Sequence, residues 1–338
     1  MRIIVDIISG DKAPLEMLIG AYDCAKENPN VSFTFVGNES IIRAIAQGRD
    51  INIDLPNIEI RHTDVVITME DQPLSVVRDK KDSSMGVGLK MLSEGKGDAF
   101  VSAGNTGALH AGSTLIVRRI KGIQKSAIGA ILPFANPTLL IDSGANTEIT
   151  PETYVQFAQM GTIYMREIMG VPSPRTGLVN NGEERTKGTK TVLEAYNLLE
   201  KAEGVNFVGN IEGKDIPNGK CDVLVCDGFT GNVVLKLSEG LAKFFVGKLT
   251  EVFTENAITK ASYIGVKGGL KKMKKSLDAN EYGGAPLLGL SKPVIKAHGS
   301  SDAYAFRNAI RQAIHCVENG VSYKIAKLVV PEIINKDE

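Results

Sequence analysis

The sequence has no excess of charge of either sign, few cysteines and no long apolar run. Its 39 Lys and Arg residues balance 39 Asp and Glu residues, so no overall field would attract nucleic acid. Its four cysteines lack metal-binding or redox spacing. No apolar run approaches the roughly 20 residues of a membrane span, and the chain opens on a strand-like run rather than a signal peptide. We therefore expect a reduced, cytoplasmic, globular protein.

The usual signatures of nucleotide, hydrolase and metalloprotease sites are also missing. The sequence contains no G-x-G-x-x-G, no G-x-x-x-x-G-K-[ST], no G-x-S-x-G and no H-E-x-x-H. The histidines do not cluster at metal-ligand spacing; they are His62, His110, His298 and His315. We therefore expect neither a metal nor a cofactor, and the sequence offers no obvious side-chain nucleophile for covalent catalysis.

Apolar strand-like runs alternate with helical segments along most of the chain. Nine such runs are predicted as strands, at residues 2–6, 32–36, 58–63, 98–102, 127–132, 138–142, 176–180, 205–209 and 222–226. Several are continuously apolar, which is typical of a parallel sheet covered by helices on both faces. Thr150 and Pro151 predict a helix start, and Gly170 and Pro172 its end. The pattern predicts one doubly wound α/β domain over residues 1–338.

A segment at about residues 235–280 predicts a helix hairpin that departs from this alternation. Its first helix has apolar residues at helical spacing, and we interpret it as an ordinary core helix. Its second part combines an apolar tip with lysines, namely Ile258, Tyr263, Ile264, Val266, Lys267, Lys271, Lys272, Lys274 and Lys275. This part is either a solvated charged helix or a contact surface. Such a surface would suit an anionic membrane or an acidic protein partner.

Small-residue loops follow several of the predicted strands. Residues 102–108 read Ser-Ala-Gly-Asn-Thr-Gly-Ala, between an apolar run and a possible helix. A strand, a Gly/Asn loop and a helix start form a common anion site, because backbone N–H groups converge there. Similar Gly-Asn loops occur near residues 37, 145, 209 and 231. If the strands are parallel, these loops share one edge of the sheet, where open α/β folds bind ligands.

Charged and polar residues in these loops each have a structural alternative. Asp11 suits a helix cap better than a catalytic role. The basic run that contains Arg78, Lys80 and Lys81 is either solvated or anion-binding. Asn180 either shapes a turn or binds substrate. His298 is either a structural histidine or an acid–base group.

In combination, these loops closely resemble the PlsX family of phosphate acyltransferases of bacterial phospholipid synthesis. The matching segments are residues 102–108, 142–146, 180–188, 207–213, 226–232, 282–289 and 296–301. The first loop departs from the family pattern D-A-M-G-G-D-x-A-P at residues 7–9, and Asn181 replaces an isoleucine of the family's N-I-G-E-E.

The resemblance implies a three-layer α/β/α sandwich, like phosphate acetyltransferases and isocitrate dehydrogenases, with a mostly parallel sheet. It implies acyl transfer from acyl carrier protein to inorganic phosphate. It also implies a homodimer associated peripherally with the membrane, which supplies acyl phosphate to a membrane-bound glycerol-3-phosphate acyltransferase. The alternatives are an acyl-CoA-dependent phosphate acyltransferase, a dehydrogenase of the related superfamily and a non-catalytic scaffold.

Phosphate is itself a nucleophile, so such a reaction needs positioning and charge stabilisation rather than a Ser or Cys nucleophile. The catalytic candidates are Asn105, Lys187, Asn232 and His298. Lys187 would balance the phosphate charge, Asn232 would donate to the oxyanion and His298 would protonate the thiolate. The predicted phosphate and substrate contacts are Ser102, Gly104, Thr106, Gly107, Arg78, Lys80, Lys81, Asp6, Asp11, Asn146 and Asn180.

Overall fold

A computed structural model describes residues 1–276 and 279–330. Eleven strands form one sheet in the order β3-β2-β1-β4-β11-β10-β5-β6-β9-β7-β8. The strands are β1 (Arg2–Asp6), β2 (Ser32–Gly37), β3 (Ile58–His62), β4 (Ala99–Ser102), β5 (Ala127–Pro133), β6 (Pro137–Ile141), β7 (Arg175–Asn180), β8 (Asn206–Glu212), β9 (Val223–Val225), β10 (Ala285–Leu288) and β11 (Val294–Lys296).

The sheet consists of two parallel blocks that run in opposite directions. β10 is antiparallel to both β11 and β5, and β5 is antiparallel to β6. The remaining pairings are parallel, so the mostly parallel sheet is confirmed. However, the expectation that all the glycine-rich loops share one edge is wrong. The ends of β1 and β4 point one way, and those of β6, β7 and β9 point the other.

Helices cover both faces of the sheet. They are α1 (Leu15–Glu27), α2 (Glu39–Gly48), α3 (Ser84–Ser93), α4 (Thr106–Gly112), α5 (Pro151–Glu167), α6 (Lys190–Leu199), α7 (Gly228–Thr254), α8 (Ala257–Ser276), α9 (Ala303–Glu318) and α10 (Val321–Val329). Short 3-10 turns occupy Pro73–Val77, Gly213–Asn218 and Ala279–Tyr282, and a π turn, Ser113–Val117, follows α4.

Each central strand buries both of its faces. In β1, Ile3 and Val5 belong to the core beneath α1, α5 and α9, whereas Ile4 belongs to the core beneath α3 and α4. Alternate residues of a strand point to opposite faces. A strand between two helix layers must therefore be continuously apolar, which confirms the three-layer α/β/α interpretation.

The predicted helix start at Thr150 is confirmed, although its side chain does not cap the helix. Thr150 is the N-cap residue of α5 and Pro151 its first residue. The Thr150 hydroxyl instead bonds with Gln124 Oε1 and Thr153 Oγ1, both at 3.1 Å. The fixed φ of Pro151 is sufficient to begin the helix here.

Two short strands lie where the sequence analysis expects only loops. β10 and β11 fall within or beside residues 282–289 and 296–301. β10 contains Pro286 and is followed by Gly289, and both strands have at most four residues. They are too short to show a period of two. They form because β4 and β5 supply pairing partners on either side.

The predicted helix hairpin is present as α7 and α8, but its first helix is not an ordinary core helix. α7 begins earlier than expected, at Gly228, directly after β9. Its apolar side chains at Leu241, Phe244 and Phe245 are 45%, 56% and 58% exposed in this single chain. None of the described helices combines the length and the apolar character needed to cross a membrane.

Candidate active site

The ends of β1, β4 and β11 bring three loops together. We call residues 6–11, 102–107 and 296–301 the first loop group. The backbone N–H of Asp11 donates to Gly299 O at 2.8 Å, and that of Ala297 donates to Ser102 O at 2.9 Å. Asp11 is exposed and does not cap α1, whose N-cap residue is Pro14. The prediction of Asp11 as a helix cap is therefore wrong.

Asp6 and Ser102 lie beneath the first loop group and are fully buried. Ser102 Oγ donates to Asp6 Oδ2 at 2.8 Å and accepts from the N–H of Gly104 at 3.1 Å. Burial raises the pKa of Asp6, and hydrogen bonds from nearby serines oppose that shift. Neither side chain is accessible to a substrate. Both support the loop that begins at Gly104, which differs from their predicted role as substrate contacts.

Ser9 stands where the family pattern has a glycine, and the loop accommodates it. The left-handed position in this turn is Gly10, with φ of +124°. Ser9 is buried, and its hydroxyl lies 3.3 Å from Ser84 Oγ. The departure from the family sequence therefore adds a polar contact without requiring a conformation that disfavours a side chain.

Asn105 holds two segments in place with its side chain. Its Oδ1 accepts from the N–H of Ala108 at 3.0 Å and caps α4. Its Nδ2 donates to the carbonyls of Thr68, Met69 and Asp71 at 3.1–3.2 Å. This amide is therefore committed to structure, and its catalytic role stays a prediction.

The backbone of the same loop offers donors. Among the described residues, the N–H groups of Asn105, Thr106 and Gly107 have no acceptor. Thr106 is exposed, and Gly107 packs close to Pro73. An anion on this loop would meet backbone N–H groups at the start of a helix, as the sequence predicts.

The Asn105 amide also links the predicted basic run to the first loop group. It binds carbonyls within residues 68–71, and Asp71 in turn pairs with Lys80 of that run. Lys80 is not free: its Nζ pairs with Asp71 at 2.6 Å and donates to Val66 O at 3.2 Å. Arg78 and Lys81 are exposed and form no ion pair within the described part of the chain. These two residues are the cations available here.

The ring of His298 is arranged as a neutral donor. Its Nδ1 accepts from the N–H of Ser300 at 3.2 Å and lies 2.8 Å from Ser300 Oγ. An Nδ1 that accepts places the proton of the neutral ring on Nε2. Partial burial, together with the charge of nearby Lys296, lowers the pKa of His298. The geometry therefore favours a hydrogen-bond donor over a cationic acid.

Lys296 is buried within the first loop group; the sequence analysis includes it in the matching segment 296–301 but assigns it no role. Lys296 is only 7% exposed to solvent. Its Nζ donates to the carbonyl of Ala103 at 3.2 Å and to that of Ala297. Burial lowers the pKa of Lys296 to about 8, although the carboxylates of Asp11 and Asp6 oppose the shift. The available sequence signal was a lysine directly after the apolar pair Val294 and Ile295.

β6, β9 and β7 end side by side and form a second set of loops. Ile141 pairs with Val225, and Val225 with Leu178. The loops that follow are residues 142–146, 226–232 and 180–188, which we call the second loop group. Asp142 is fully buried and organises the first of them, because its carboxylate accepts from backbone N–H groups at residues 128, 144, 145 and 146.

Two of the predicted asparagines in the second loop group are committed to structure. Asn146 Nδ2 donates to Ser126 O and Asp142 Oδ2, both at 2.8 Å. Asn180 Nδ2 donates to Lys187 O at 3.0 Å, and its Oδ1 accepts from the N–H of Asn181. Asn180 therefore closes the turn that presents Lys187.

Lys187 and Asn232 are the available polar side chains of the second loop group. Both are exposed, and within the described ranges neither side chain has an ion pair or hydrogen bond. Lys187 follows β7, six strand positions from β4 in the sheet. No contact between described residues joins it to residues 102–107, so it does not balance charge on that loop within one chain.

Two helices connect the loop groups. α4 starts at the first group, and His110 on it lies 3.1 Å from Ser126 Oγ, while the carbonyl of Ser126 accepts from Asn146. α7 starts in the second group, where the N–H of Gly228 donates to Asn146 O at 2.7 Å. Charges farther along α7, at Lys236 and Glu239, act on His298. α4 therefore runs from the first loop group to the start of β5, beside the 142–146 loop of the second group.

An acidic cluster near residue 183 is an ion-pair network. The carboxylates of Glu183, Glu212 and Asp215 lie within 4.8 Å of one another. Lys220 Nζ lies 2.8 Å from Glu183 and 3.1 Å from Asp215, and Lys214 pairs with Glu212. Lysines thus supply the positive charge that a metal would bring.

The predicted contact residues on α8 form an exposed surface. Ile258 and Ile264 are 79% and 78% exposed, and Tyr263 packs against Phe253 with ring centroids 5.6 Å apart. Val266, Lys267, Lys271 and Lys272 are exposed as well. The side chains of Lys274 and Lys275 lie outside the described residues.

The chain matches known families over nearly its whole length. A family model described as "Fatty acid synthesis protein" matches residues 1–324. Proteins named phosphate acyltransferase from Thermoanaerobacter pseudethanolicus and Thermoanaerobacterium thermosaccharolyticum are each 44% identical; the first alignment covers 95% of both chains, and the second covers 100% of this chain and 98% of the relative. A phosphotransacetylase structure from Streptococcus pyogenes shares the fold, with a TM-score of 0.62, 14% identity and 94% coverage of each chain. The chain therefore belongs to the fatty acid synthesis protein family, the PlsX family that its motifs resemble, and is a phosphate acyltransferase.

Proposed function

We propose that the chain transfers a fatty acyl group from acyl carrier protein to inorganic phosphate and supplies acyl phosphate for phospholipid synthesis. The observation that carries this proposal is the pair of loop groups that α4 links. One offers backbone N–H groups that have no acceptor among the described residues, with Arg78 nearby, and the other offers Lys187 and Asn232. One region can therefore hold an anion while the other polarises a carbonyl.

The nucleophile is the phosphate. Cys226 begins the last loop of the second group, but it is buried, and burial raises the pKa of its thiol well above the ordinary value. A thiol that stays protonated is a poor nucleophile. A phosphate oxygen instead attacks the thioester carbonyl carbon, the carbon–sulfur bond breaks, and the carrier's thiolate leaves with the bonding pair. No cofactor enters this balance.

Each available backbone or side-chain group has a proposed role in this reaction. The N–H groups of Asn105, Thr106 and Gly107 hold phosphate, with Arg78 and Lys81 balancing its charge. Asn232 donates to the developing oxyanion, and Lys187 is the cation that the adjacent 180–188 loop of the second group offers to the acyl donor. His298 donates from Nε2 to the transition state and does not need to protonate the thiolate. Positioning two reactants in this way can lower the activation free energy by about 7–11 kcal/mol.

The deciding experiment incubates the purified protein with acyl carrier protein thioester or acyl-CoA, with and without phosphate. Acyl phosphate is trapped as its hydroxamate. Phosphate-dependent product from the carrier-protein thioester supports the proposal, and product from acyl-CoA alone favours the CoA-dependent alternative. Reduction of a nicotinamide cofactor with a hydroxy-acid substrate would indicate a dehydrogenase. Inactivity in every arm would leave a scaffold role.

The hairpin is the proposed contact with the membrane and the carrier protein. Ile258 and Ile264 of the apolar tip and the lysines Lys267, Lys271 and Lys272 are all exposed on α8. Apolar residues beside lysines suit an anionic bilayer, and each lysine contributes about 1 kcal/mol there. We propose a cytoplasmic homodimer that associates peripherally with the membrane and passes its product to a glycerol-3-phosphate acyltransferase.

A further inference from the structure

The peptide group between Ala103 and Gly104 is held at both of its polar atoms. Its carbonyl accepts from Lys296 Nζ at 3.2 Å, and its N–H donates to Ser102 Oγ at 3.1 Å. Ser102 in turn donates to the buried carboxyl of Asp6. This peptide begins the loop whose next three N–H groups lack acceptors among the described residues.

We infer that Lys296 is a positioning residue that makes the first loop group the phosphate subsite. By holding the Ala103 carbonyl, the buried ammonium fixes the orientation of the peptide that directly precedes the N–H groups of Asn105, Thr106 and Gly107. The same bond to Ala103 O ties the end of β11 to the loop after β4, and the second bond, to Ala297 O, holds the ammonium beside its own backbone. This inference rests on the proposed function and assigns phosphate, rather than the thioester, to this loop.

Charge supports the same assignment. Lys296 places a positive charge beneath the loop, and the ionisable groups that act on it or respond to it are Asp6, Asp11 and His298. Because burial lowers the pKa of Lys296 to about 8, its charge is present at neutral pH and is lost as the pH rises above 8. A bound phosphate opposes that loss. Phosphate affinity should therefore fall on the alkaline side, whereas an arginine would keep its charge.

Steady-state kinetics of Lys296→Met and Lys296→Arg test the inference. Lys292→Met is the matched control, because Lys292 Nζ also donates to a backbone carbonyl, Gly97 O at 2.7 Å, but precedes β11 rather than ending it. We expect Lys296→Met to raise the phosphate KM at least tenfold with an unchanged KM for the acyl donor. Lys292→Met should change neither. The wild-type phosphate KM should rise above pH 8, and that rise should be absent in Lys296→Arg.

A wild-type phosphate KM in folded Lys296→Met, or an equal rise in both KM values, would overturn the inference. If Lys296→Met does not fold, identical pH profiles for the wild-type and Lys296→Arg proteins would overturn it instead. Calorimetric titration of the free proteins with inorganic phosphate gives a readout that does not need turnover, and weaker binding by Lys296→Met is expected. A wild-type protein that binds phosphate but forms no acyl phosphate would refute the proposed function while leaving this inference standing.

Discussion

The carboxylate of Asp142 holds Asn146 twice, accepting from its backbone N–H at 2.7 Å and from its side-chain amide at 2.8 Å. The same amide donates to Ser126 O, so it ties the 142–146 loop to the start of β5. Asn146→Ala should leave the Ser126 carbonyl without this donor and remove one of the donors to Asp142, which keeps its backbone N–H bonds, at a cost of about 1–3 kcal/mol. Urea unfolding checks this value. Asn218→Ala is the control, because that amide makes only an exposed 3.4 Å contact and should cost under about 0.5 kcal/mol.

Asn105→Ala should raise the phosphate KM strongly, because it removes both the cap of α4 and the tether to residues 68–71. Loss of the cap alone should lower the free energy of unfolding by about 1 kcal/mol. Asn105→Ser keeps a capping oxygen but loses the triple tether, so comparison of the two variants separates the contributions. Kinetics with varied phosphate, alongside thermal unfolding, measure both effects. Normal phosphate kinetics in the two variants would show that neither cap nor tether matters for phosphate binding.

Lys187→Ala and Asn232→Ala should each lower kcat by about 10²- to 10³-fold, the typical effect of losing one donor to an oxyanion. Both side chains are exposed, so stability should hardly change. Lys190→Ala is a matched control, since the Lys190 side chain is 92% exposed and lies three residues beyond Lys187. Hydroxamate formation measures the rates. A double variant no slower than the wild type would remove the second loop group from the mechanism.

His298 should act as a neutral donor over the physiological range. Its pKa is lowered, so the ring is neutral at pH 7, and protonation would abolish the bond that Nδ1 accepts from Ser300. We expect kcat to be flat above pH 6.5 and to fall only below the ordinary imidazole range. His298→Gln should retain a hydrogen-bond donor and lose the fall of kcat at low pH, which we call the acidic limb of the profile. His298→Ala should lower kcat by about 10²-fold. A limb that persists in His298→Gln would assign it to another group.

The sequence was sufficient to predict elements whose own residues show a clear apolar pattern. The continuous apolar character of Ile3, Ile4 and Val5 predicts a strand buried on both faces, and the structure confirms it. The antiparallel placement of β10 could not be predicted, because its four residues show no periodicity and its direction is set by β5 and β11. The opposed directions of the two loop groups come instead from the antiparallel β5–β6 pair, whose strands are joined by only three residues.

For a related reason, the sequence does not show which predicted site residues bind within the fold and which stay available to a substrate. The sequence identifies polar residues at strand ends, but not where each amide is directed. Asn105, Asn146 and Asn180 use their amides within the fold, whereas Asn232 does not. Lys296 escaped attention because its burial depends on three loops that converge only after folding. A lysine is almost never fully buried without partners, so this position gives no signal from composition alone.

The hairpin surface should determine membrane binding. Replacing Ile258, Tyr263, Ile264 and Val266 with serine removes the apolar tip while leaving the lysines Lys267, Lys271 and Lys272 in place. We expect the wild-type protein to float with anionic liposomes and the quadruple variant to stay in the soluble fraction. Replacement of Val208, an exposed apolar residue on β8 that is 43% accessible, should have no effect. Turnover with the carrier-protein thioester in solution should persist in the quadruple variant, because the lysines that suit an acidic carrier protein remain and the replaced residues lie outside both loop groups. Unchanged flotation of the quadruple variant would exclude the tip as the anchor.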